Sequence, residues 1–291
     1  MTDSPFTRMR RAALVVLALA CGACSTPERR EPWESRLRGD AVVLLGEVHD
    51  NPALHALRLA ALRRALAAGW RPVIAMEQFD REHQADIERA RRERPGDARH
   101  LIDLAAPARP GGSAGGWHWD SYRPVVELAL RYDLPLIAAN LSNPDTTKIV
   151  RGGYAAVFDA ADIAALGLDR PIAPDWQAAQ EHEIDQGHCH ALPPASWPRM
   201  ARAQFARDAM MAATLQAQAQ SGRGVVLLAG NGHVRRDLGV PRWMAPAWRD
   251  RLMSVGYLEQ GDDMPGAGAF DAVVWAPPAS RPDPCEGFKR R

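Results

Sequence analysis

Excess charge of either sign is missing from this chain: 36 lysines and arginines stand against 35 aspartates and glutamates. That balance argues against a nucleic-acid partner, whose binding needs a cationic surface to neutralise phosphates. An apolar stretch of about 20 residues, the length that spans a bilayer as a helix, is also missing; the run from Ala12 to Ala20 is too short. There is no internal repeat. No His-Glu-x-x-His helix is present, so a zinc hydrolase of that type is excluded. Cysteine is scarce, and Cys21 and Cys24 fall in the leader, leaving Cys189 and Cys285 for the folded part. Tyrosine is equally scarce: Tyr122, Tyr132, Tyr154 and Tyr257.

What is present at the N-terminus has the three parts of a secretory signal. Arg8, Arg10 and Arg11 precede the apolar run, and small residues surround two cysteines. Leu19-Ala20-Cys21 and Gly22-Ala23-Cys24 both resemble a lipobox, with Cys21 favoured because it directly follows the run. Residues 1–24 therefore read as a lipoprotein signal, and the charged, proline-bearing residues 25–38 as a polar tether. The residue after either cysteine, Gly22 or Ser25, is not the aspartate that would signal inner-membrane retention. Export into an oxidising compartment favours disulfides, so Cys189 and Cys285 either pair or leave Cys189 as a thiol or ligand between His188 and His190.

From residue 39 to about 280, short apolar runs alternate with amphipathic stretches, before a polar tail at 281–291. Strands are expected at 41–45, 72–76, 134–139, 225–229 and 270–275, and helices at 52–67, 81–94, 122–131 and 197–220. This alternation predicts one α/β domain with a mostly parallel central sheet and helices on both faces. Residues 105–116 and 261–269, rich in glycine and proline, read as loops.

Polar residues directly follow the apolar runs: Glu47 and His49 after the first, Glu77 after the second, Asn140 after the third, and Asn231 and His233 after the fourth. In open parallel sheets ligands bind beyond the carboxyl ends of the strands, so these groups are expected to converge. Glu47, His49, Glu77 and His233 could then hold zinc or manganese, with one glutamate acting as general base on metal-bound water. They could equally form a structural polar network.

The segments Leu44-Leu45-Gly46-Glu47-Val48-His49-Asp50-Asn51-Pro52, Met76-Glu77-Gln78-Phe79, Ala138-Ala139-Asn140-Leu141, Ala203-Gln204-Phe205-Ala206-Arg207-Asp208 and Ala229-Gly230-Asn231-Gly232-His233 resemble, in order and spacing, the ChaN-like haem-binding family of the Tiki/TraB superfamily. The resemblance implies a haem-binding lipoprotein of iron uptake at the outer membrane, a homodimer holding two haems through tyrosinate, and an outer-membrane haem receptor as partner. Related branches of the superfamily are peptidases, which keeps the metal-dependent hydrolase as the alternative. Tyr122, beside Trp117 and Trp119, and Tyr154, after two glycines, are the candidate tyrosine ligands. Arg123 and Arg151 stand beside them, able to lower their pKa or pair with haem propionates. His188 and His190, in a histidine-rich stretch with His182, are candidate nitrogen ligands.

Overall fold

The computed structural model describes residues 33–37, 42–106, 117–262, 266–283 and 285–286. The expected signal with Cys21 and Cys24, and most of the tether and of the glycine-rich loop, lie outside the described residues. Six parallel strands form one sheet in the order β3-β2-β4-β1-β5-β6. They are β1 (Val42–Leu45), β2 (Val73–Asp80), β3 (Leu136–Asn140), β4 (Val225–Leu228), β5 (Leu252–Glu259) and β6 (Ala272–Ala276).

Strand alternation sends successive side chains to opposite faces. Val43, Leu45, Ile74 and Met76 pack in one core layer, while Val42, Leu44, Val73 and Ala75 enter another. The first layer is covered by α1 (Pro52–Ala67), α2 (Gln84–Glu93), α3 (Ala98–Ala105) and α4 (Trp119–Arg131). Between β3 and β4 run α5 (Asn143–Gly152), α6 (Ala160–Ala165), α7 (Pro174–Gly187) and α8 (Trp197–Ala219). Met211, Ala212, Leu215 and Ala219 of α8 close the second layer. All the strands expected from the apolar runs are present, but β5, a neighbour of β1, was not anticipated. Ser254 and Gly256 interrupt its apolar pattern, although every residue in it is buried.

Helix starts follow local chemistry. Asn51 caps α1, its side-chain oxygen accepting from the backbone N–H groups of Ala53 and Leu54 at 3.0 and 3.1 Å, with Pro52 at the first turn where no N–H is needed. Its amide also donates to Glu259 Oε1 (2.6 Å) and the Pro277 carbonyl (2.9 Å), tying α1 to the end of β5. The helix α7 buries Trp176, Gln180 and Ile184 four residues apart along one face.

Both ends of the folded region reach further than expected. Trp33 packs edge-on to Tyr257 with ring centroids 6.5 Å apart, and Leu37 is buried in the same core, so the tether cannot extend through residue 38. Two apolar side chains four residues apart dock a short 3-10 turn despite its charged surroundings. At the other end, Arg281 pairs with Asp50 and Glu259, and Cys285 is bonded to Cys189, so these two residues are tied to the folded region rather than part of a free polar tail.

Gly46, ending β1, marks a close approach. A β-carbon there would lie 2.1 Å from Asn231 Oδ1. Asn231 reaches across the end of β1 to β5, donating to the Tyr257 carbonyl at 2.6 Å and accepting from its N–H at 3.0 Å. Gly46→Ala should therefore displace Asn231 and destabilise the protein by about 2–3 kcal/mol, the range of overpacking plus lost hydrogen bonds. Urea unfolding checks this; an unchanged midpoint contradicts it.

Candidate functional site

The order of strands decides which loops meet. Because β4 lies between β2 and β1, Glu47 and His49 after β1, Glu77 in β2 and His233 after β4 converge at one edge of the crevice. The register of β2 shifts against β3 between Met76 and Asp80, and this irregularity spans Glu77, Gln78 and Phe79. Such bulges re-aim side chains.

Glu47 is buried and accepts from Tyr122 Oη (2.6 Å), His49 Nδ1 (2.6 Å) and Gln78 Nε2 (3.2 Å). The fully buried Arg58 of α1 forms an ion pair with it and also donates to the Gly46 carbonyl and to His55 Nδ1. Since His55 Nδ1 accepts from a guanidinium, its Nε2 must carry the proton donated to the His49 carbonyl at 3.0 Å. Burial raises the Glu47 pKa, but Arg58, His49 and His55 together outweigh it and hold the carboxyl below the usual range. Burial and then Arg58 lower His55, in keeping with its neutral form.

A second set centres on His233. Its Nδ1 lies 2.6 Å from Asp208 Oδ1, and its Nε2 lies 3.4 Å from Glu77 Oε1. The other Glu77 oxygen accepts from the Gly230 N–H at 2.7 Å. Burial disfavours charge on all three groups, yet the two carboxylates push His233 up to about 10 and His233 brings Glu77 down to about 2. For Asp208 burial prevails and its pKa is raised. A β-carbon on Gly230 would stand 3.1 Å from the His49 ring, so this glycine lets the two sets approach. The His49 side chain is half-exposed, and Trp117 meets it edge-on with centroids 4.8 Å apart. Burial lowers the His49 pKa, but Glu47 and Glu77 raise it more.

The structure thus brings Glu47, His49, Glu77 and His233 together, Glu47 paired with His49 and Glu77 with His233, each pair also held by neighbours such as Arg58, Tyr122 and Asp208. Among the described residues, no group of three or more His, Cys, Asp or Glu side chains is arranged to hold a metal ion. Tyr122 is corrected as a haem ligand: it is fully buried and donates to Glu47, and burial with that carboxylate raises its pKa. Tyr154 is partly buried beside α5; burial raises it to about 12, with Arg202 only partly opposing. Arg123 is turned to Asp120 at 3.1 Å, away from either role expected of it. Cys189 is in a disulfide and cannot be a thiolate ligand. His190 points to Asp185 at 2.7 Å. Sequence reasoning gave no role to Arg58, Asp208 or Gln180. Arg58 had a signal, a charge within the apolar stripe of α1 between Leu54 and Leu62.

Beside His233 opens a pocket of about 770 Å³. Val150, Ile184, Met200, Ala203 and Leu238 supply its apolar wall, and Arg151, Arg207, Gln180 and His188 its polar groups. The family described as haem-binding uptake, Tiki superfamily, ChaN matches residues 33–244. The chain belongs to this family. Among solved structures, this ChaN-family chain is similar to ChaN of Campylobacter jejuni, described with cofacial haem binding, at 18% identity and a TM-score of 0.59. That match covers 79% of this chain and 85% of that one. A variant of the erythromycin esterase EreC in its open conformation shares 14% identity with a TM-score of 0.44, covering 86% of this chain and 79% of that one. No curated protein matches the chain.

The paired charges set a pH profile. Glu77, lowered from 4.5 to about 2, contributes stability that is present above pH 4.5 and lost as pH falls toward 2. His233, raised from 6.5 to about 10, contributes stability that is present below pH 6.5 and lost as pH rises through 10. Asp208 runs against the acid limb, because a raised carboxyl favours the folded state when protonated. Thermal midpoints should therefore fall on the alkaline side between pH 7 and 10. His233→Gln should remove that fall; equal slopes in both proteins contradict the assignment.

Proposed function

We propose that this protein captures haem for iron uptake, holding it in the pocket beside His233. The observation that carries the reading is the composition of that pocket: an apolar wall large enough for a planar ligand, with two guanidiniums on its lining. Haem has an apolar face and two carboxylates, and arginine pairs well with carboxylates. Arg151 is exposed and makes no ion pair or hydrogen bond with the described residues; Arg207 is held by Asn140 Oδ1 (2.6 Å) and Asn143 Oδ1 (2.8 Å). Gln180 is buried on the same lining without a hydrogen-bond partner among the described residues, so its amide is available to a ligand. Family membership supports the same reading.

Titration with haemin should give a saturable Soret shift, and Arg151→Ala should weaken binding about two- to fivefold, the scale of an exposed charge pair. Non-saturable absorbance would refute the proposal. Stoichiometric zinc or manganese in the purified protein would instead favour the hydrolase alternative.

The same proposal includes a lipid anchor on Cys21 or Cys24, an outer-membrane location, a homodimer and an outer-membrane haem receptor as partner. The leader sequence supports the anchor, and several acyl chains attach a protein durably. Mass spectrometry of the mature N-terminus should find diacylglycerol on one of these cysteines, Cys21 ahead of Cys24. An unmodified terminus counts against the anchor.

A further inference from the structure

Three helices build the pocket with one repeated spacing. Residues 143–151 of α5, 180–188 of α7 and its cap, and 200–208 of α8 each reach the lining at positions i, i+3, i+4, i+7 and i+8, the stripe that a helix lays along one face. A polar residue on such a stripe faces the same space as its apolar neighbours. On α7 that residue is Gln180, set between Trp176 and Ile184 along the buried face of the helix. Only 5% of it is exposed, and its carboxamide makes no hydrogen bond with the described residues. Buried amides are ordinarily paired, so its donor and its acceptor are both left to whatever fills the pocket.

The charges on the lining select the kind of ligand. Glu183 is answered by Arg235 at 2.6 Å and Asp208 by His233 at 2.6 Å, whereas Arg151 has no acidic partner among the described residues. An amide N–H and an unanswered guanidinium on one lining suit a carboxylate, which accepts from both. Iron is served less well. Among the described residues the lining carries no tyrosine or cysteine; His233 faces carboxylates from both ring nitrogens, and His188 is engaged with the Ile184 carbonyl and is not free. That leaves the thioether of Met200.

We propose that Gln180 is the specificity-determining residue of this pocket: its amide donates to a ligand carboxylate whose charge Arg151 balances, so the pocket takes dicarboxylic tetrapyrroles with or without iron. This rests on the haem reading above and names the feature of the ligand that is read, the propionate and not the metal. An ester of the same ring keeps the apolar face but loses the charge, and hydrogen bonds to charged groups are the stronger kind.

The test titrates the full chain, at one fixed detergent concentration, with haemin, iron-free protoporphyrin IX and the dimethyl ester of that porphyrin, read by absorption and by quenching of tryptophan fluorescence. Haemin and protoporphyrin IX should both saturate, while the dimethyl ester should bind about tenfold or more weakly, the scale of a hydrogen bond to a charged group. Gln180→Leu keeps the size of the side chain and deletes an amide that the described residues do not use. It should lose most of that preference, by weakening the free acid and leaving the ester unchanged. Gln180→Glu should weaken the free acid further through like charge. Equal binding of acid and ester by wild type overturns the proposal, as does a full preference retained in Gln180→Leu, or saturable binding of haemin without that of protoporphyrin IX. If Gln180→Leu does not fold, Gln180→Glu and the wild-type comparison of acid with ester decide it. Any of these contrary results alongside saturable haemin binding leaves the haem reading standing; no saturable haemin binding by wild type removes both.

Discussion

A carboxylate taken out of water costs several kcal/mol unless charge and hydrogen bonds replace its hydration. Glu47 stands at the end of β1 with almost no exposure, and the surrounding elements are arranged to satisfy it. Arg58 from α1 supplies the opposite charge, Tyr122 from α4 a hydroxyl, Gln78 from β2 an amide, and His49 a ring nitrogen. One buried charge thus joins two helices and two strands. It also accounts for the loss of Tyr122 from the ligand candidates, since its phenol is committed to the carboxylate.

The insertion of β4 between β2 and β1 has a comparable reach. It brings His233 against Glu77 and sends residues 141–224 on a long excursion through α5 to α8. That excursion builds most of the pocket walls, including Asp208 of α8, while the segment after β4 provides His233 at the border. The buried acid–base network and the ligand pocket are therefore neighbours with separate characters. The network is paired mostly within itself, with only Arg58 Nε and Gln78 Oε1 buried without a hydrogen-bond partner among the described residues, whereas the pocket exposes polar groups such as Gln180 that have none there. An internally paired network suits a rigid floor; groups left without partners suit recognition.

Much of this was legible in the chain itself because it depends on local pattern. The apolar runs identified β1 to β4 and β6, the Asn51-Pro52 pair announced the start of α1, and the order of motifs pointed to the family. Convergence of Glu47, His49, Glu77 and His233 followed from their placement at the ends of parallel strands. Local pattern failed for β5, whose buried serine and glycine break the apolar signal, and for Trp33 and Leu37, which look like part of a charged tether until the core to which they dock is present.

The tertiary structure alone decided where the candidate ligands lie and what they pair with. Sequence proximity put Tyr122 beside two tryptophans and suggested an open aromatic wall, but packing placed its hydroxyl on Glu47, 75 residues earlier. His188 and His190 are two residues apart and were indistinguishable as neighbours in a histidine-rich stretch. The turn between them directs one to the pocket and the other to Asp185. The pairing of Cys189 with Cys285 and of His233 with Asp208 likewise joins residues distant along the chain. Composition and periodicity report which face of an element is apolar and where it ends, because those are properties of adjacent residues; the partner of a polar group depends on how the elements pack, and that is settled only when the sheet is assembled.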